Sequence, residues 1–206
     1  MPQQIAVSGT MFEPSEEPIA EVVVELLAVA DDAVLGSATT AADGTFRIDV
    51  APGPDGLAAY LRATPADRLP LYNYFDGPLV ADAVVPMLSL SPDELTVFYG
   101  FVLGVPLDDT KSTVSMVFKD CAEVPVADVV ISLDPDAERI AYYSEAQKNV
   151  DNDMTTTDAS GFAFGVNAPA EAGGLPVIAR GVAGEVELEA SLESHPGALV
   201  SILVRP

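Results

Sequence analysis

The stretch Pro18-Ile19-Ala20-Glu21-Val22-Val23-Val24-Glu25-Leu26 decides the fold, because a second copy of it follows at an offset of 107 residues. The second copy reads Pro125-Val126-Ala127-Asp128-Val129-Val130-Ile131-Ser132-Leu133, and its residues are identical or similar to those of the first except at Ser132. Alternate apolar residues in both copies indicate a β-strand with one buried face. Such self-similarity at a fixed offset indicates an internal duplication.

Two further pairs of segments support the duplication and occur in the same order in both halves. Residues 40–50 resemble residues 156–166 at an offset of about 116, and in each a short turn precedes an alternating apolar strand. Residues 56–62 then resemble residues 174–180. The growing offset places an insertion within residues 134–155, which we expect to form an elongated loop or a hairpin.

The short strands and their Gly and Pro boundaries predict an all-β protein rather than a parallel α/β sheet. A length of 206 residues suits two domains of about 100 residues each. We therefore expect a first β-sandwich over residues 1–90, a helical linker over 91–110 and a second β-sandwich over 111–206.

The linker contains one predicted helix, over residues 92–103. Ser91-Pro92-Asp93-Glu94 has the pattern of a capping box with proline at the first helical position, and Gly104 is a suitable C-terminal stop. At helical spacing, one face is apolar and is expected to pack against one or both sandwiches. That face comprises Leu95, Phe98, Tyr99 and Val102.

The duplicated residues resemble the carboxypeptidase regulatory-like domain, a transthyretin-like (prealbumin-like) sandwich of seven strands. The family pattern, a "p-v-x-g-v-x-v" strand followed by "T-d-x-x-G-x-f", is similar to residues 18–24 and 40–46, and to residues 120–129 and 157–162. Glu21 and Asp128 replace the usual glycine of the first element. The resemblance implies two tandem transthyretin-like Greek-key β-sandwiches joined by one short α-helix. It also implies an exported bacterial protein, and it is nearly silent on function.

The charge balance limits the partners that we expect. The chain has 32 acidic and 9 basic residues, a formal net charge of −23, and such a surface repels nucleic acid and anionic membranes. No apolar run reaches the 18 residues of a membrane span. The first residues lack the basic and apolar regions of a signal peptide. A secreted or cell-envelope location is therefore expected from the resemblance alone.

We expect no enzymatic activity and no cofactor. His195 is the only histidine and lies in a turn-like stretch, and no Gly-x-Ser-x-Gly elbow accompanies it. Intradiol dioxygenases share this broad fold and hold iron with two Tyr and two His, a set that one histidine cannot supply. Cys121 follows Asp120, whose carboxylate discourages thiolate chemistry. We expect this cysteine to be a half-buried small apolar residue.

Two aromatic segments are weak candidates for binding a glycan or a peptide. The first contains Tyr72, Tyr74 and Phe75, and the second, in the insertion, contains Tyr142 and Tyr143. The alternative for the first segment is an aromatic plug over a sandwich edge, since aromatic residues mostly serve burial. Consecutive strand residues face opposite sides, so one of Tyr142 and Tyr143 is expected to be exposed.

A weak candidate for calcium binding is formed by Asp151, Asp153 and Asp158, because Ca²⁺ prefers hard oxygen ligands. An EF-hand is excluded, since Thr156 and Phe162 occupy the positions that require Gly and Glu. The alternative is a solvated acidic loop.

Two functional hypotheses follow. The first is a non-catalytic structural or interaction protein, exported or at the cell surface, with a protein partner or self-association through unpaired strand edges. The second is a ligand-binding module for a glycan, a peptide or calcium.

Overall fold

The computed structural model describes residues 4–147 and 149–205, and the chain divides after Pro92 into two compact units. The predicted all-β, sandwich-like architecture with one short helix is confirmed. The strands of the first unit are β1 (Ile5–Phe12), β2 (Val23–Ala28), β3 (Val34–Thr39), β4 (Thr45–Val50), β5 (Ala59–Ala63), β6 (Leu71–Tyr74) and β7 (Ala83–Leu88). Those of the second unit are β8 (Ser112–Phe118), β9 (Val130–Asp134), β10 (Arg139–Ser144), β11 (Asn149–Asp151), β12 (Phe162–Ala168), β13 (Leu175–Ala183), β14 (Val186–Ser194) and β15 (Leu199–Val204).

The first unit is a sandwich of two sheets, with strand orders β4-β1-β7 and β6-β5-β2-β3. β1 pairs antiparallel with β4 and parallel with β7. Its core is formed by the alternate residues of both sheets, because one face of each strand is covered by the other sheet. The fully buried core residues include Val7, Val24, Leu26 and Leu61.

The second unit repeats this arrangement with one addition. Its sheets have the orders β12-β8-β15 and β14-β13-β9, which correspond to β4-β1-β7 and β6-β5-β2. β10 and β11 extend the first sheet beyond β12, where they form an antiparallel pair. The insertion predicted within residues 134–155 is thus a hairpin, and it takes the place in the chain that β3 holds in the first unit.

The duplication extends to equivalent turns that precede β4 and β12. Gly44 has a φ of 74° and Gly161 a φ of 64°, the left-handed region that glycine adopts without steric cost. A β-carbon on either glycine would overlap a backbone carbonyl oxygen, that of Met11 or of Phe118. The strand residue at each turn donates an equivalent backbone hydrogen bond. Met11 N–H donates to Gly44 O at 2.9 Å in the first unit, and Phe118 N–H donates to Gly161 O at 2.8 Å in the second.

These turns correct the alignment of the second repeated segment. Gly44 corresponds to Gly161, an offset of 117 residues rather than the 116 expected from the apolar pattern. Phe162 is therefore equivalent to Thr45, and not to Phe46 as the apolar pattern suggested. Phe46 points into the core with 5% of its surface exposed, whereas Phe162 lies on the outer face of its sheet and is half-buried. A one-residue shift exchanges the two faces of a strand, because side chains alternate with a period of two.

Two equivalent buried threonines, Thr40 and Thr157, accept hydrogen bonds from the backbone just before β2 and β9. Val22 N–H donates to Thr40 Oγ1 at 2.9 Å, and Val129 N–H donates to Thr157 Oγ1 at 3.1 Å. Thr40 is 3% exposed and Thr157 2%. Because water is excluded here, each hydroxyl is the partner of a buried backbone amide that would otherwise be unpaired.

We expect Thr157→Val to lower the free energy of unfolding by about 1–3 kcal/mol, because valine keeps the shape but leaves the Val129 amide unsatisfied. Thr157→Ser retains the hydroxyl and is the matched control, with a smaller loss expected. Urea unfolding followed by circular dichroism measures both. Equal losses in the two variants would contradict the role of the hydrogen bond.

The predicted helix is present over residues 92–103, in two parts. α1 (Pro92–Val97) continues directly into a π-helical segment, Phe98–Leu103, which ends at Gly104 with a φ of 65°. The buried residues follow a spacing of four: Leu95, Tyr99 and Leu103. In the described residues, no helix is long and apolar enough to cross a membrane.

The helix packs against the second unit. Its Tyr99 hydroxyl shares a short hydrogen bond with Thr113 Oγ1, on the outer face of β8. Phe98 makes an edge-to-face contact with Phe164, with ring centroids 5.7 Å apart. Two carbonyl oxygens near the end of the helix also accept hydrogen bonds, from Arg139 Nη1 to Leu103 O at 2.7 Å and from Asn152 Nδ2 to Val102 O at 2.6 Å.

Candidate interaction surfaces

The first aromatic segment forms β6 and the residue after it. Tyr74 is 4% exposed, and its ring stacks on that of Tyr60 with centroids 4.9 Å apart. Tyr72 lies on the same face, half-exposed, with its ring 6.2 Å from Tyr60. Phe75 is half-buried just beyond the strand. The structure thus gives Tyr74 a packing role and leaves the rings of Tyr72 and Phe75 partly accessible.

Tyr60, opposite Tyr74 on the neighbouring strand β5, contacts both tyrosine rings of this group. It is 2% exposed, and its hydroxyl donates to Asp32 Oδ1 at 2.8 Å. Burial, together with the hydrogen bond to Asp32, raises the pKa of Tyr60 far above its ordinary value. The neutral phenol is therefore favoured in the folded state.

Because the pKa of Tyr60 is raised on folding, the stability that it contributes is present below about pH 10 and is lost as the pH rises further. We expect Tyr60→Phe to lose less stability than the wild type between about pH 10 and pH 12. At neutral pH the variant should be less stable by about 1 kcal/mol, since it lacks the hydrogen bond. Urea midpoints at several pH values measure this, and parallel alkaline losses would contradict it.

The second aromatic pair lies in β10, and its two rings face opposite sides. Tyr142 is 5% exposed and points into the sandwich, where its hydroxyl accepts a hydrogen bond from Ile131 N–H at 3.2 Å. Tyr143 is half-exposed on the outer face, with its ring 5.8 Å from that of Phe162. Tyr142 is therefore a core residue, and Tyr143 belongs to a surface.

The three predicted calcium ligands lie in one stretch of the second unit. The carboxylates of Asp151 and Asp158 accept hydrogen bonds from backbone amides. Asp151 accepts from Asp153 N–H at 2.9 Å, and Asp158 accepts from Ser160 N–H at 2.9 Å and Glu145 N–H at 2.6 Å. Burial acts to raise the pKa of Asp158, and the hydrogen bonds outweigh it, so that the pKa is lowered. Within residues 4–147 and 149–205, no group of three or more His, Cys, Asp or Glu is placed to hold a metal ion. Calcium binding stays a prediction.

A row of apolar side chains on the outer face of the β11-β10-β12-β8-β15 sheet was not predicted. Leu203 lies opposite Val117, Val117 lies opposite Phe162, and Tyr143 adjoins Phe162 across the next strand pair. All four are half-exposed. We call them the outer apolar row. Aligning the turn glycines Gly44 and Gly161 in sequence could have revealed this row, because their offset of 117 residues places Phe162 on the outer face of its sheet.

The helix presents a second surface, the exposed helix stripe, formed by the acidic Asp93 and the apolar Val97 and Phe101. These residues follow the same spacing of four as the buried face and lie on the opposite side. Val97 is 56% exposed and Phe101 89%.

The lone histidine and the lone cysteine both lie in turns. His195 is half-buried between β14 and β15, in the turn-like stretch that was predicted. Cys121 is exposed, so the expectation of a half-buried side chain is wrong. The cause is Asp120, whose carboxylate accepts from Ala122 N–H and Val124 N–H and turns the chain outward after β8.

Comparison with known proteins gives weak structural likenesses. No protein-family model and no curated protein matches the chain. The chain is similar to the shaft pilin spaA of Lactobacillus rhamnosus GG, with 13% identity, 98% of both chains covered and a TM-score of 0.33. It is similar to the TIE protein of Bacillus anthracis, with 10% identity and a TM-score of 0.32, where 98% of this chain spans 34% of that one. For chlorocatechol 1,2-dioxygenase of Pseudomonas putida, the identity is 11% and the TM-score 0.33, over 43% of this chain and 60% of that one.

These scores are too low to establish a shared fold, and we draw no functional conclusion from them. The resemblance to the carboxypeptidase regulatory-like domain likewise stays a prediction, while the β-sandwich that it implied is present.

Proposed function

We propose that this chain is a non-catalytic structural and interaction protein, exported or at the cell surface, which binds an extended segment of a partner protein along a sheet edge. The observation that carries the proposal is β14, a nine-residue strand at the end of the sheet β14-β13-β9. A terminal strand offers unpaired backbone groups to an added strand. The export component is supported by the sequence resemblance.

The register of β14 shows which residues such a partner would meet. A two-residue turn joins β13 to β14, so Ala183 and Val186 close the hairpin as a hydrogen-bonded pair. The backbone groups of Glu187, Glu189 and Ser191 then point away from β13, and the side chains of these three residues are exposed. Glu189 already pairs with Arg180 Nε at 3.0 Å, so the exposed carboxylate of Glu187 is the one that favours Lys or Arg opposite it in a partner strand and opposes an acidic residue there.

The experiment is binding of a lysine-bearing β-strand peptide to the full chain, compared with the same peptide carrying glutamate. We expect the lysine peptide to shift the amide resonances of β14 and to bind more weakly as salt is raised. Ser191→Pro removes an N–H on the free edge and should weaken binding. Unchanged β14 resonances with the lysine peptide would overturn the proposal. Protease treatment of intact producing cells tests the location.

A second candidate function, a ligand-binding module, is favoured by the accessible ring of Tyr72. On the neighbouring strand the Arg62 guanidinium donates to Glu25 Oε2 at 2.8 Å, and Arg62 lies directly opposite Tyr72. An aromatic face beside hydrogen-bonding groups can hold a sugar or a peptide. A glycan array and calorimetry with Ca²⁺ test this candidate. The absence of binding in both experiments would contradict it.

A further inference from the structure

The outer apolar row is bordered by the positive charges of two basic residues. Lys119 directly follows the end of β8 and Arg205 the end of β15, each two residues after a member of the row, Val117 or Leu203. Both pair with one carboxylate, Glu123: Lys119 Nζ at 3.6 Å and Arg205 Nη2 at 2.9 Å. Two cationic side chains thus lie beside the row, on a chain whose net charge is −23.

The exposed helix stripe has the complementary pattern. It begins with the exposed Asp93, in the first turn where acidic residues cluster, and continues with the apolar Val97 and Phe101. It spans the nine residues 93–101, which is at most about 12 Å at the α-helical rise of 1.5 Å per residue, and its second half is π-helical. The row crosses four adjacent strands, about 14 Å at the usual strand spacing. Acid can therefore meet base while apolar side chains meet apolar side chains over a similar length.

Both surfaces belong to one face of the second unit. Phe98 of the helix contacts Phe164, and Phe164 contacts Phe162 of the row with ring centroids 4.5 Å apart. A single face that carries two complementary surfaces side by side satisfies the condition for a two-fold contact, in which each copy contributes both surfaces.

We propose that two copies of this chain associate through this face, with the exposed helix stripe of each copy lying on the outer apolar row of the other. This inference rests on the proposed interaction function and names a second copy as one partner. The contact covers Phe101, the most exposed of the large apolar side chains described. Each copy contributes two apolar side chains from the helix and four from the sheet, a small contact, so the dimer forms at high protein concentration.

Salt distinguishes this association from binding at β14. Two copies that each carry a charge of −23 repel one another, and salt screens the repulsion beyond about 10 Å at 0.1 M. The apolar contact is not weakened by screening. Association between copies should therefore strengthen with salt, whereas binding of a cationic strand at β14 should weaken.

The test is sedimentation velocity of the full chain from about 1 to 500 µM protein, in about 0.05 and 0.5 M NaCl. We expect a dimer whose dissociation constant falls with salt, and Phe101→Asp should raise that constant about tenfold or more. Val84→Asp, at a valine that is 80% exposed in the first unit, is the matched control and should leave it unchanged. Both positions are exposed, so neither variant disturbs a core.

A charge exchange tests the orientation of the contact. Asp93→Lys should weaken the dimer, and adding Lys119→Glu to the same chain should restore part of the loss, since the exchanged charges attract again. A monomer at the highest concentration and salt, or equal association of Phe101→Asp and Val84→Asp, would overturn the inference. Neither result affects the lysine-peptide test at β14, so the two proposals fail separately.

Discussion

Replacing Gly9 with alanine is expected to lower the free energy of unfolding by about 3 kcal/mol or more, the upper range for overpacked cores. Gly9 lies in β1, the central strand of the sheet β4-β1-β7, between Phe46 and Val85. A β-carbon there would overlap the carbonyl oxygen of Val85 and lie 2.9 Å from the Phe46 ring. The obstacle is backbone, so β1 and β7 would have to separate.

Chemical denaturation of the purified variant, followed by circular dichroism, measures this loss. Gly77→Ala is the matched control in the same unit, because no atom lies within 4 Å of the added β-carbon. It should change stability by less than about 0.5 kcal/mol, as is usual for surface substitutions. Equal unfolding midpoints for Gly9→Ala and Gly77→Ala would show that β7 moves away from β1 without loss of stability.

The second large effect is expected at the turn before β12. Gly161→Ala should cost about 3 kcal/mol, of which about 1–2 kcal/mol arises from the left-handed conformation and the rest from overlap with Phe118 O. Its β-carbon would also lie 3.1 Å from Pro125 Cβ. Gly44→Ala, at the equivalent turn of the first unit, should cost a similar amount.

Gly104 separates the two contributions. It has a φ of 65°, yet no atom lies within 4 Å of an added β-carbon, so Gly104→Ala should cost only the backbone strain of about 1–2 kcal/mol. Comparing the unfolding midpoints of the three variants measures the overlap by itself. If Gly104→Ala and Gly161→Ala lose equal stability, the close approach to Phe118 contributes nothing.

The duplicated strands and turns could be predicted because their causes are local. Proline and alternating apolar residues mark β2 and β9 in the sequence, and both strands form as expected. The departures from the family pattern at Glu21 and Asp128 also have a local explanation. Their φ angles are 62° and 61°, so the usual glycine fits a left-handed position that these two acidic residues occupy at some cost.

The candidate surfaces could be predicted only in part. Aromatic residues were found in sequence, but Tyr74 and Tyr142 are buried while Tyr72 and Tyr143 are accessible. The exposed helix stripe lies outside the predicted apolar face of 92–103, because Val97 and Phe101 fall on the opposite side of the helix from Leu95 and Tyr99. Nothing in the local pattern states that Phe101 lacks a covering layer.

The sequence by itself determined the all-β class, the tandem duplication, the hairpin-sized insertion and the helix with its glycine stop. Each depends on a period, a turn residue or a repeated segment, which are properties of neighbouring residues. Only the tertiary structure decided which face of each strand is covered. Alternation marks two faces without stating which one is inside, and one residue of register at Gly161 moves Phe162 and Phe164 from the core side to the surface.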